Sequence, residues 1–147
     1  MIADTITQKI GEALKAHDEV RLSTLRMLSS ALNYELIAKQ HKLNDEEEIV
    51  VVKKEAKKRK DAIEAYEKAS ALDRADKERA ELKILQEYLP EEMSDEELNK
   101  LVTEALNQTG AKALSDMGRV IGMVMAKAKG RADGSKVANL IKSKLSL

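Results

Sequence analysis

Four cations and four glycines share one short stretch, DMGRVIGMVMAKAKGRADG, from Asp116 to Gly134. The cations are Arg119, Lys127, Lys129 and Arg131, and the glycines are Gly118, Gly122, Gly130 and Gly134. Lysine and arginine side chains hold anions, phosphate above all. Val120, Ile121, Met123, Val124 and Met125 read as helix up to about Lys129, which puts Gly118 and Gly122 inside it. A glycine inside a helix costs about 1 kcal/mol against alanine. Spaced four apart, the two share a face, where we expect them to admit another backbone unusually closely. Gly130 is expected to stop the helix, and Asp133 or Ser135 to cap the next. The unpaired N–H groups starting that last helix add partial positive charge near Lys127, Lys129, Arg131 and Lys136, a setting that suits phosphate. A helical hairpin with solvated lysines is the plainer account, and spacing alone leaves both open.

A second set of cations, Lys53, Lys54, Lys57, Lys58, Arg59 and Lys60, falls in a predicted third helix. At 100° per residue Lys53, Lys57 and Lys60 form one stripe, which is either a solvated face or a second phosphate-contacting surface. Arg59 falls instead at the edge of the apolar stripe of Ile49, Val52, Ala56 and Ile63. There it reads as a structural ion-pair residue, partnered by Glu55 or by an acid of another helix.

Catalytic chemistry has little to work with. The only histidines, His17 and His41, fall in predicted loops, and there is no cysteine. No HExxH spacing, no GxxxxGK[ST] loop and no serine with an evident histidine partner occurs. The acids Asp45, Glu46, Glu47 and Glu48 read as helix-start electrostatics rather than a metal site. We therefore expect no catalytic residue, no metal and no cofactor in this chain.

Positioning these residues falls to helices. The 147 residues contain one proline, six glycines, no Phe or Trp and 35 % charged residues, so the core must be aliphatic and the fold all-α. Absence of cysteine fits the cytoplasm. The start, MIADTITQKI, does not read as a signal peptide, and no apolar run is long enough to span a membrane. Net charge is zero, yet Glu87 to Asp116 carries an excess of six negative charges and Met117 to Leu147 an excess of six positive ones. A neutral chain with one basic end is a candidate for local polyanion binding.

Ile2, Ile6, Ile10 and Leu14 outline a first amphipathic helix. Asp18 is placed to cap a second, with Leu22, Leu25, Leu28, Leu32 and Leu36 as its stripe, and Asn44 to cap the third. The pattern loses phase around Ser70 to Arg74. A fourth helix follows with Ala80, Ile84, Leu85 and Tyr88 inward, and ends at Leu89–Pro90. Ser94 and Glu97 make a capping box for a fifth helix over Leu98, Leu101, Val102 and Leu106, closed by Gly110. Ser115 or Asp116 starts the sixth, and a seventh carries Val137, Leu140, Ile141 and Leu145. These signals predict a domain of about four helices over residues 1–89 and a three-helix domain over residues 90–147.

Four segments together resemble the GatB/YqeY family, most of all its free-standing YqeY members: LRML (Leu25 to Leu28), KKRKDAIEAYEKA (Lys57 to Ala69), ELKILQEYLP (Glu81 to Pro90) and the Asp116–Gly134 stretch. From that stretch to Leu145 the chain is also similar to the tail of the GatB component of the glutamine-dependent tRNA amidotransferase. Gly122, Met125, Lys129, Gly130, Ala132, Val137 and Leu145 match its signature. Ala126 replaces a common lysine, Asp133–Gly134 a common Asn-Pro, and Ser70, Ala71, Leu72 and Asp73 stand where YqeY members usually carry Gly-Arg before Asp-Leu. The resemblance implies a helical module that helps hold tRNA, while amidotransfer chemistry belongs to a separate catalytic domain. It also brings the label of carbon–nitrogen ligase activity with glutamine as amido-N-donor, which would apply here by association only. The implied partners are tRNA and an amidotransferase or aminoacyl-tRNA synthetase. The alternative is a protein–protein adaptor with a basic docking face. Which tRNA, which enzyme and which oligomeric state are questions the sequence leaves open.

Overall fold

The computed structural model describes residues 1–145. Seven α-helices and one 3-10 turn make up the fold, with no strand among the described residues. None of the helices is long and apolar enough to cross a membrane. The chain divides into two compact units, Met1–Leu89 and Pro90–Leu147.

The first unit contains α1 (Ile2–Lys15), α2 (Glu19–Lys39), α3 (Asp45–Lys68) and α4 (Leu72–Gln86). Local chemistry starts α2 and α3. Asp18 accepts the Arg21 amide at 3.0 Å, and Asn44 and Glu47 form a reciprocal box at 2.8 and 3.0 Å. No side chain at its own N-cap serves α1; Ala3 donates its amide to Glu48 Oε2 of α3 at 3.0 Å instead. Ser70, at φ 57°, separates α3 from α4, so the break is narrower than the phase loss suggested.

Three expected core positions are corrected, the first being Leu36, which is 37 % exposed near the end of α2. Leu14 is 54 % exposed, and Ala13 is buried in its stead. A strict four-residue spacing turns about 40° per step, so the stripe begun at Ile2 has rotated off the core by Leu14. Ala80 is exposed, whereas Glu81 is buried. Glu81 goes inside because Arg59 does: Arg59 Nη1 lies 3.1 Å from Glu81 and 3.0 Å from Glu78, both on α4. A guanidinium this far out of water needs such partners. This is the structural role expected for Arg59, with another helix's acids as its partners. Ile6, Leu28, Leu32, Leu43, Val51, Val52 and Leu85 form the aliphatic core of this unit. Arg21 clamps Glu87 through two bonds of 2.8 and 2.9 Å, tying the start of α2 to the end of α4.

The second unit contains α5 (Asp95–Thr109), the 3-10 turn Leu114–Asp116, α6 (Met117–Ala128) and α7 (Gly134–Leu145). Ser94 and Glu97 cap α5 reciprocally, and Gly110 closes it at φ 64°. Leu98, Val102, Val120, Val124, Val137 and Ile141 fill the centre, with Met125 packed at its edge.

Candidate nucleic-acid interface

The turn between α6 and α7 is built from two consecutive left-handed residues, Lys129 at φ 49° and Gly130 at φ 81°. Gly130 therefore does not stop the helix alone. Lys129 takes a conformation that costs an L-residue roughly 1 kcal/mol or more, and its side chain stays exposed. The chain then reverses, and Asp133 starts α7 by accepting the Ser135 amide at 3.1 Å.

Gly118 and Gly122 are both exposed, and a Cβ at either would meet nothing within 4 Å. The expectation that they admit a neighbouring backbone of this chain is thus overturned. Val120, Val124 and Ala128 claim the inward face of α6, which leaves the glycines on the opposite one. At 100° per residue, Gly118, Arg119, Gly122 and Ala126 lie within about 100° of one another on that outward face, and Lys129 follows directly after the last residue of α6. The result is a bare strip of helix backbone with a cation towards each end.

The predicted cations do not converge on one helix start. Lys127 turns to the side of α6, with Nζ 3.3 Å from Gln108 Oε1 near the end of α5. Arg119 reaches the Thr109 carbonyl at 3.5 Å and Asp116 at 3.6 Å. Arg131 and Lys136 are held at the other end of α5. Arg131 donates through Nε to the Glu91 carbonyl at 2.9 Å and lies 3.6 Å from Glu97. Lys136 Nζ lies 2.5 Å from Asp95 Oδ1. That carboxylate, by hydrogen bond and then by charge, raises the Lys136 pKa above its usual value, with Glu92 and Asp133 adding to it. Neighbours in sequence are thus sorted into two groups, roughly 16 Å apart along α5 at 1.5 Å per residue.

In the first unit, Lys57 and Lys60 are exposed on α3, and Lys53 is half-buried. Lys58 pairs with Glu55 at 3.1 Å. His17 and His41 are exposed in loops. Among the described residues, no group of three or more His, Cys, Asp or Glu side chains is gathered to hold a metal ion. Sequence reasoning gave Glu97 only as half of a capping box and counted Asp95 only within the acidic excess, and it missed their pairing with the basic end. The opposite charge excess of the two adjoining segments was the available signal.

The sequence model of the family described as "Yqey-like protein" matches residues 3–145. An uncharacterized protein of Schizosaccharomyces pombe is 34 % identical over 90 residues, covering 61 % of this chain and 73 % of its own. "Altered inheritance of mitochondria protein 41, mitochondrial" of Vanderwaltozyma polyspora is 30 % identical over 120 residues, 76 % of this chain and 64 % of its own. A glutamyl-tRNA(Gln) amidotransferase subunit of Thermococcus gammatolerans is 37 % identical over 57 residues, which span 36 % of this chain but 9 % of that protein. Since the match to the family model runs almost from end to end, the chain belongs to the YqeY-like family.

Proposed function

We propose that the second unit is a tRNA-binding helical module acting beside a tRNA amidotransferase or an aminoacyl-tRNA synthetase. The observation that carries this reading is the outward face of α6. Gly118 and Gly122 cost helix stability that no contact among the described residues recovers. Their absent side chains let a sugar–phosphate backbone come close while Arg119 and Lys129 meet its charge. With three tyrosines and no Phe or Trp, base stacking has few platforms, so folded RNA read by backbone and shape is the matching substrate. The stretch of similarity to an amidotransferase subunit supports the choice of partner enzyme. Any carbon–nitrogen ligase chemistry in this reading is the partner's. The compartment is the cytoplasm, with the mitochondrion to be tested beside it because one relative is named for it.

The test is anisotropy of labelled tRNA across a salt series. Three or so phosphate contacts give a slope of about −2 to −3 in log affinity against log salt. No binding at low salt, either by wild type or after the acids beside its cations are neutralised, overturns the reading. The alternative, a protein–protein adaptor with a basic docking face, gains from Tyr34 and Ile37, three residues apart on α2 and 78 % and 72 % exposed. A pull-down with and without RNase separates the two: an RNase-resistant protein partner favours the adaptor.

A further inference from the structure

We propose that the acidic segment from Glu91 to Glu97 is a built-in competitor for the RNA backbone, occupying Arg131 and Lys136 until a phosphate displaces it. The inference rests on the RNA-binding reading and adds its regulation. Asp95 sits 2.5 Å from Lys136, and Glu97 lies 3.6 Å from Arg131. A carboxylate presents anionic oxygens to the same donors that would hold a phosphate, so the two are exclusive at each cation.

At Lys136 the arrangement separates what holds the segment from what covers the cation, whereas Glu97 both caps α5 and faces Arg131, and Glu97→Gln keeps an oxygen for the cap. Met93 donates its amide to the Arg131 carbonyl at 2.8 Å, and Arg131 Nε donates to the Glu91 carbonyl at 2.9 Å. These bonds keep the segment beside the turn without using a carboxylate. The α5 cap is closed by Ser94 and Glu97, so Asp95 is not needed for it. Asp95 and Lys136 are 79 % and 53 % exposed, so their contact forms in water and a polyanion can reach it. Exposed pairs of this kind shift an equilibrium by up to about fivefold each, which is small enough for a multivalent ligand to displace. The surface therefore has an open part at Lys129, just past the end of α6, a part at Arg119 shared with its own helix-start acid Asp116, and a part covered by the acidic segment, Arg131 and Lys136.

Removing any acid strengthens RNA binding somewhat, so the test needs a matched control. Asp95→Asn/Glu97→Gln removes the two covering carboxylates. Glu96→Gln/Glu104→Gln removes the same charge from two exposed acids of the same helix. Titrated with labelled tRNA over a salt series, the first variant should bind about three- to tenfold more tightly than the control, with a slope steeper by about one, as uncovered cations take phosphates. Equal gains and parallel slopes in the two variants, with wild type binding, overturn this inference and leave the RNA reading standing. Failure of wild type and both variants to bind overturns the reading and this inference together. Binding by the Asp95→Asn/Glu97→Gln variant alone supports both.

Discussion

The Glu48 carboxylate of α3 accepts the Ala3 amide at 3.0 Å, so an acid 45 residues away caps α1. Glu48 is 1 % exposed, and its second oxygen has no hydrogen-bond partner among the described residues. Removing the cap exposes the helix start to solvent and uncouples α1 from α3. We expect Glu48→Ala to cost about 1–2 kcal/mol in urea unfolding, within the usual range for a lost cap. Glu48→Gln keeps an accepting oxygen and should cost less. An unchanged midpoint for the alanine variant contradicts this role.

Acid should act through Glu87 and Glu47. Glu87 is held below its ordinary pKa of 4.5 first by its hydrogen bond to Arg21, and Glu47 first by the Asn44 amide. Both pKa values are lower folded than unfolded, so the stability they contribute is complete above about pH 4.5 and is lost as pH falls through the folded values. Glu87→Gln should lower stability at pH 7 by no more than about 1 kcal/mol, since the pair is exposed. The gap between variant and wild type should narrow and close as pH falls from 4.5 through the lowered folded value. A gap that persists below that value means the loss is not electrostatic.

Lys129 offers a trade between stability and binding. In a left-handed position glycine is the unstrained choice. Lys129→Gly should therefore raise the stability of the second unit by about 0.5–1 kcal/mol relative to Lys129→Ala. Both should weaken tRNA binding to a similar degree. Equal melting temperatures for the two variants would show that the turn carries no such strain.

What the sequence revealed follows from how locally each feature is determined. Asp18, the Asn44–Glu47 box and the Ser94–Glu97 box were legible because a cap is complete within four residues. Arg59 was legible because a helical wheel alone sets it beside the apolar stripe. The Glu48–Ala3 and Asp95–Lys136 contacts were not, because each joins elements whose approach depends on the whole packing. Gly122 lies between these cases. Periodicity put it with Gly118 on one face, but whether that face meets protein or solvent is decided by where Val120 and Val124 are buried. Lys127 shows the opposite error, nearness in sequence taken for nearness in space, since it lies on the side of α6 against Gln108 while Lys129 stands in the left-handed turn beyond the helix.

Gly122→Leu in a tRNA-binding assay tests the central claim most directly. The side chain enters open space within this chain, and leucine is the better helix former by about 0.5–1 kcal/mol. The melting temperature should therefore hold or rise. The same side chain would stand between the bare backbone and the RNA, where overpacking of about 1–3 kcal/mol corresponds to a loss of tenfold or more in affinity. A more stable protein that binds tRNA at least tenfold more weakly is the predicted result, and unchanged affinity at unchanged stability would contradict the account.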